Sequence, residues 1–301
     1  MKMKMKIVAD SSANLQDLTE VKAANTTVRE KGEPAGVTEG TELAFASVPV
    51  HIMLGDQDIA DTAVLDLKAF QKALKEYKGK TTTAAPSPGE WVEAFGDADV
   101  IFCFTLTSAM SGTYNSAVIA GESYEAEHPG AKVYVIDSRS TGPEMVLLVE
   151  KARELILSGK APEQIDQELK VYQQKTHLYF SLASVENFAK NGRIHPLIAK
   201  GIGLMGIRLV GTASEAGTLE VKGKCRGDKK AWALILDAME NCGYRGGRVI
   251  LAHNQNEEGA QNLKTRMNEA FGNIPVVIQK ERALCCYYAE PGSVMVGFET
   301  E

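Results

Sequence analysis

A stretch of small hydroxylated residues, TLTSAMSGTYNSAVIAG at 105–121, joins an apolar run to a helical pattern, with Ser111 and Thr113 on either side of Gly112. The first amides of a helix have no partners within the helix and lie at the positive end of its dipole, so they attract an anion. Gly112 permits close backbone approach, and the two hydroxyls add donors. The pattern is typical of a binding site for a negatively charged group. A helix N-terminus capped by Ser111 explains it equally well.

Thr83 lies in TTTAAPSP at 81–88, a stretch that predicts a hydroxyl- and proline-rich loop. Its residue type alone favours a threonine that bonds within its own turn. The chain has no GxxxxGK[ST] loop and no well-placed GxGxxG.

Ser111 could instead be the nucleophile of a serine hydrolase, which needs a general base and a sharp turn such as GxSxG. Ala109 stands where that motif has its leading glycine, and none of the five histidines lies in a recognisable triad context. His253, at a strand end before a helix, is expected to be a cap or surface residue. The hydrolase stays an alternative, because a base can be adjacent in space only.

Composition and charge exclude several classes of protein. The 301 residues favour two domains, and 44% apolar with 24% charged residues match an ordinary globular protein. A net charge of −6 argues against nucleic acid as a partner. The opening MKMKMK lacks the apolar core of a signal peptide, and no run approaches about 18 apolar residues, so we expect a cytoplasmic protein. The five cysteines are odd in number and have no CxxC spacing, so we expect neither a disulfide framework nor a metal site. We also expect no cofactor.

Strands and helices alternate in the first half of the chain, which predicts a mainly parallel sheet with helices on both faces. The segment 19–47 has weak periodicity and is expected to be a surface excursion. We expect strands at 6–9, 48–53, 100–106 and 132–137, and helices at 66–77, from 89 onward, at 114–127 and at 145–157.

The second half has a different pattern. Residues 158–162, SGKAP, resemble a hinge, so we place the domains at 1–160 and 161–301. A mixed sheet is expected in the second domain, which makes it α+β. Its predicted helices are 163–174 and 229–241, and its predicted strands are 177–183, 206–213, 217–227, 248–254, 275–283 and 294–299.

With these segments in place, the chain resembles the DegV family of bacterial fatty-acid-binding proteins, the carriers partnered with fatty acid kinase. The similarity covers nearly the whole chain, although the stretch between Leu15 and Val48 is longer than the family usually has. It is carried by IVADSSANL (7–15), SVPVHI (47–52), TTTAAPSPGEW (81–91), TSAMSGTYNSA (107–117), VIDSRSTGPEM (135–145), KTHLYFSL (175–182), NGRI (191–194), KCRGDKKA (224–231) and AEPGSVMVGFE (289–299).

The resemblance implies two α/β domains with a lipid site between them: an N-terminal α/β/α sandwich and a C-terminal α+β domain. It implies that Thr83 and Ser111, beside Gly112, bind the carboxylate of a long-chain fatty acid. Arg193 and Arg226 are placed near the head group or on a surface that faces the kinase subunit. Tyr288 stands where many relatives carry a histidine, and it could replace that residue as a hydrogen-bond donor.

On the same resemblance, the protein shields the acyl chain and presents its carboxyl group for phosphorylation, with no chemistry of its own. Its partners would be the fatty acid, a fatty acid kinase subunit and, transiently, a membrane surface. A sensor whose domains close on a ligand would need the same pocket.

Overall fold

The structure, a computed structural model, describes residues 3–16, 41–202 and 206–301. In these ranges the helices are α1 Leu67–Glu76, α2 Pro88–Phe95, α3 Thr113–Glu127, α4 Pro143–Leu157, α5 Pro162–Gln173, α6 Glu186–Lys190, α7 Pro196–Ala199, α8 Asp228–Asn241, α9 Glu257–Phe271 and α10 Ala283–Ala289. The strands are β1 Met3–Asp10, β2 Thr41–Val48, β3 His51–Leu54, β4 Gln57–Ala60, β5 Thr81–Ala84, β6 Val100–Thr105, β7 Lys132–Asp137, β8 Thr176–Leu182, β9 Ile207–Ala213, β10 Leu219–Arg226, β11 Val249–His253, β12 Val276–Lys280 and β13 Val294–Glu299.

The first sheet is parallel, with four strands in the order β2-β1-β6-β7. Every residue of β6 is buried, because helices cover both faces of this sheet. Trp91 and Phe95 of α2 and Tyr124 of α3 pack on one face, and most of α4 is buried against the other. The predicted α/β/α sandwich is confirmed.

The second sheet is mixed, with six strands in the order β10-β9-β8-β13-β11-β12, of which only β11 and β12 run parallel to each other. Helix α4 lies between the two sheets and contacts β1 and β6 on one side and β8, β11 and β13 on the other. A Cβ on Gly297 of β13 would lie 2.5 Å from the Pro143 carbonyl carbon. Position 297 therefore requires a glycine, because the first residue of α4 packs directly against it. The mixed sheet predicted for the second half is confirmed, whereas the domain boundary at 160/161 stays a prediction.

Three expectations about the first half were wrong. Residues 41–47, expected in a surface excursion, belong to β2, whose edge position explains the weak periodicity; residues 19–40 lie outside the described residues. The strand expected at 48–53 is divided at Pro49, which has no amide hydrogen to donate to a neighbouring strand. Strand β2 therefore ends at Val48, and β3 begins at His51. Residues 81–84, expected in a loop, form β5 and pair antiparallel with β3, since β-branched threonines favour strands.

Candidate functional site

A cavity lies between the carboxyl end of the first sheet and the face of the second. In sheets with parallel strands this edge is where ligands usually bind. Most of the lining is apolar and comes from both halves of the chain. The lining residues are Val50, Thr83, Ala84, Ala85, Leu106, Thr107, Met110, Ser111, Gly112, Thr141, Leu178, Phe180, Leu182, Phe188, Arg193, Leu284, Cys285, Tyr288, Ala289 and Met295.

Ser111 lies just before α3, in the loop that leaves β6. Its Oγ is 2.8 Å from Thr113 Oγ1 and accepts a hydrogen bond of 3.3 Å from the Thr113 amide. Gly112 is the N-cap residue of α3, so Ser111 lies one residue before the N-cap position. Its Oγ nevertheless accepts the first amide of the helix, which is part of the capping role considered for it. When Thr113 donates through both its amide and its hydroxyl, the Ser111 proton is free for a ligand in the cavity.

Gly112 is exposed at the cavity wall and has a φ of −76°, which any residue can adopt. A Cβ built on it meets no described atom within 4 Å. Neither the backbone conformation nor the packing therefore requires glycine here. What the glycine leaves is open space beside the first turn of α3.

Thr83 reaches the cavity from strand β5, and Tyr288 reaches it from helix α10. Their hydroxyl oxygens lie 2.8 Å apart. Burial raises the pKa of Tyr288, so its hydroxyl stays protonated and can donate. The Tyr288 ring also packs on Phe188, with 4.8 Å between the ring centroids.

Arg193 is the only cation among the described lining residues, and its side chain is exposed. Its Nε donates to the Met110 carbonyl at 3.3 Å, next to Ser111. Arg226 is exposed at the end of the edge strand β10 and does not line the cavity. The structure therefore places Thr83, Ser111, Gly112, Tyr288 and Arg193 on one cavity and leaves Arg226 outside it.

Two buried carboxylates hold the segments that carry the site. Asp10 accepts hydrogen bonds from the amides of Ser12 at 2.9 Å and Leu106 at 2.6 Å, and burial raises its pKa to about 6. Asp61 accepts from the amides of Ala283 and Leu284, at 3.2 and 3.0 Å, and so fixes the start of α10. Sequence reasoning missed α10 as a helix, because it spans only seven residues and six of them are buried, so no polar face alternates with an apolar one.

The described cavity wall does not place a general base beside Ser111, as a serine hydrolase requires. None of the described lining residues is a histidine, aspartate or glutamate. His253 is buried, and its Nδ1 accepts from the Asn256 amide at 3.3 Å, so it caps a turn and is not a surface residue. Across the described ranges there is no cluster of three or more His, Cys, Asp or Glu residues suited to a metal, and no helix long and apolar enough to cross a membrane.

Comparison with known proteins agrees with this geometry. The chain is 39% identical over 299 residues to a DegV domain-containing protein of Streptococcus pneumoniae R6, covering 99% of this chain and 100% of the relative. A crystal structure of a DegV family protein from Eubacterium eligens, loaded with heptadecanoic acid, matches with a TM-score of 0.89 and 39% identity, over 99% of this chain and 100% of that one.

A second crystal structure, the Fatty Acid Kinase (Fak) B3 protein of Streptococcus pneumoniae loaded with linoleic acid, matches with a TM-score of 0.90 and 38% identity. This match covers 99% of this chain and 100% of that chain. The model of the DegV family matches residues 38–301. The chain belongs to the DegV family.

Proposed function

We propose that the protein binds a long-chain fatty acid in the cavity between the first and second sheets. The observation that carries this proposal is an apolar cavity whose wall holds the hydroxyls of Thr83, Ser111 and Tyr288 beside the open space at Gly112. An apolar lining with a few placed donors suits an amphipathic acid. The E. eligens and S. pneumoniae proteins, similar at 39% and 38% identity, support the same ligand class, since they were crystallised with heptadecanoic and linoleic acid.

Burial of the acyl chain supplies most of the free energy of binding. Burying about fifteen methylenes at roughly 0.8 kcal/mol each gives on the order of 12 kcal/mol. Association costs about 4 kcal/mol or more. The remaining 8 kcal/mol or less, roughly, corresponds to about micromolar affinity from the chain alone, and the hydroxyls that orient the carboxyl group add to it.

The protein then acts as a carrier that presents the carboxyl group to a fatty acid kinase and does no chemistry itself. The exposed Arg193 at the cavity supports this role, since an acyl phosphate carries more negative charge than the acid and pairs strongly with a guanidinium. Arg226 lies outside the cavity, so we assign it to the surface that contacts the kinase. Substitution Arg226→Ala should leave fatty-acid affinity unchanged and lower the rate of acyl phosphate formation when kinase and ATP are supplied.

The carrier is favoured over a serine hydrolase because the described cavity wall offers Ser111 no histidine or carboxylate as a base. Incubation with a p-nitrophenyl ester separates the two functions. The carrier predicts no turnover by the wild type. Turnover that disappears in Ser111→Ala, with folding retained, would establish the hydrolase.

Transient contact with a membrane surface is the remaining part of the proposal. Exposed lysines lie on one side of α1 and just beyond its end, and Val64 just before the helix is 92% exposed. These lysines are Lys68, Lys72, Lys75 and Lys78. Basic side chains near an anionic leaflet contribute about 1 kcal/mol each. Sedimentation with anionic vesicles, but not with neutral ones, is the expected result, and replacing the four lysines by serine should abolish it.

A cytoplasmic location stays a prediction from the sequence.

A titration of the purified, delipidated protein with a fluorescent fatty acid tests the binding proposal. We expect saturable binding that unlabelled long-chain acids displace. Equal displacement by acids and by their methyl esters would contradict a site that recognises the carboxyl group.

A further inference from the structure

The guanidinium of Arg193 is held in one orientation although the side chain is exposed. Its Nη1 donates to the Asn191 carbonyl at 2.5 Å, and its Nε donates to the Met110 carbonyl at 3.3 Å. An unrestrained arginine loses up to about 2 kcal/mol of rotamer entropy when it is fixed by a ligand. These two carbonyls reduce that cost only if their own positions are fixed.

Asn191 is fixed by its side chain. It follows α6, a helix of five residues none of which is fully buried, although Phe188 of this helix packs on the Tyr288 ring. Its Nδ2 donates to the Tyr287 hydroxyl at 2.8 Å and to the Asn187 carbonyl at 2.9 Å. Asn187 in turn donates to the Tyr287 carbonyl at 2.7 Å. The segment that carries Arg193 is therefore attached to α10 by these hydrogen bonds as well as by the Phe188 ring.

Tyr287 is fully buried and leads back to the strand that carries the carboxyl site. Its hydroxyl lies 2.7 Å from Thr81 Oγ1, whereas the hydroxyl of Tyr288 pairs with Thr83. Thr81 and Thr83 are two residues apart and so project from the same face of β5. Two consecutive tyrosines of α10 thus connect one strand both to the cavity hydroxyls and to the arginine segment.

We propose that Asn191 and the Tyr287 hydroxyl are positioning residues that hold Arg193 beside Ser111. The inference rests on the proposed function, because the benefit of a fixed guanidinium is faster phosphorylation of a bound acid. Neither side chain lines the cavity, so neither is expected to contact the acyl chain.

Two readouts test the inference, and the first does not depend on lipid. The Arg193 Nε–H resonance in NMR, identified by its absence in Arg193→Ala, should shift and exchange faster with water in Asn191→Ala and in Tyr287→Phe. Asn241→Ala, a change of the same type at an exposed helix end, should leave it unchanged. An unmoved resonance in both positioning variants would overturn the inference, whatever ligand the protein binds.

The second readout is a double-mutant cycle on kcat/KM of the kinase for the loaded carrier. Asn191→Ala and Tyr287→Phe should each lower kcat/KM about fivefold to tenfold, the loss expected for one hydrogen bond, with fatty-acid affinity nearly unchanged. In the Arg193→Ala background, Asn191→Ala should cause no further loss. Independent, multiplied losses in the double variant would contradict the inference, as would a loss on Asn191→Ala with none on Arg193→Ala. A wild type that binds no fatty acid at all contradicts the proposed function instead.

Discussion

The Tyr288 hydroxyl lies 2.8 Å from Thr83 Oγ1 and joins helix α10 to strand β5 at the wall of the cavity. Removing this hydroxyl in Tyr288→Phe should weaken fatty-acid binding about tenfold, because Thr83 loses the partner that orients it. Tyr134→Phe is the matched control, since its hydroxyl bonds Glu163 away from the cavity. The dissociation constant from fluorescent displacement is the measurement. Equal affinities in the two variants would remove Tyr288 from the site.

Ser111→Ala should lower fatty-acid affinity about tenfold while the protein stays folded, because one donor to the carboxyl group is lost. Ser116→Ala, in the helix that follows Ser111, serves as the control; the Ser116 hydroxyl donates to the Pro86 carbonyl, and Ser116 does not line the cavity. Isothermal titration with a long-chain acid compares the two. If Ser111→Ala binds as the wild type does, Ser111 does not hold the carboxyl group.

Gly112→Ala should leave the melting temperature nearly unchanged but weaken binding, since the added methyl enters space that only a ligand needs. Gly142→Ala provides the contrast: its φ is +56°, and its Cβ would lie 2.8 Å from Met295 Cε. It should cost more than about 1 kcal/mol of stability. Thermal unfolding and displacement titration measure both effects. Full affinity in Gly112→Ala would show that no ligand approaches this backbone.

Stability should fall as pH rises toward 8, and Glu281 is one cause. Burial raises the pKa of Glu281 from an ordinary 4.5 to about 8. Its Oε1 accepts from Ser293 Oγ at 3.2 Å, whereas Oε2 has no partner among the described residues. Between these two pKa values the folded protein binds more protons than the unfolded chain, so raising the pH lowers the free energy of unfolding.

Glu281→Gln imitates the protonated acid and removes this dependence. We expect the variant to unfold at a higher temperature than the wild type near pH 9 and at about the same temperature near pH 5. The exposed Glu240→Gln should match the wild type throughout. An advantage of Glu281→Gln that is equally large at both pH values would point to packing and not to titration.

The fold could be predicted largely from periodicity. Strongly apolar strands such as β6 and long helices with one apolar side such as α5 can be recognised from their hydrophobic patterns. Strand β5 could not be predicted in this way, because the sequence TTTA next to two prolines favours a loop. It is a strand because it pairs with β3. Helix α10 was missed because it is short and has no polar face, and because Asp61, which accepts its first amides, lies far away in the sequence.

The candidate site was predicted in part. Local residue types indicate Ser111 and Gly112, and resemblance was needed to single out Thr83, Tyr288 and Arg193. The contacts that position them, such as Asn191 with Tyr287 across 96 residues, depend on tertiary packing and leave no signal in one sequence.

Mass spectrometry of the lipid extracted from the purified, folded protein tests the central claim most directly. A long-chain fatty acid at close to one molecule per chain is the result expected of a cavity that encloses an acyl chain and binds its carboxyl group. Protein that carries no fatty acid, and takes none up after delipidation and incubation with long-chain acids, would contradict it.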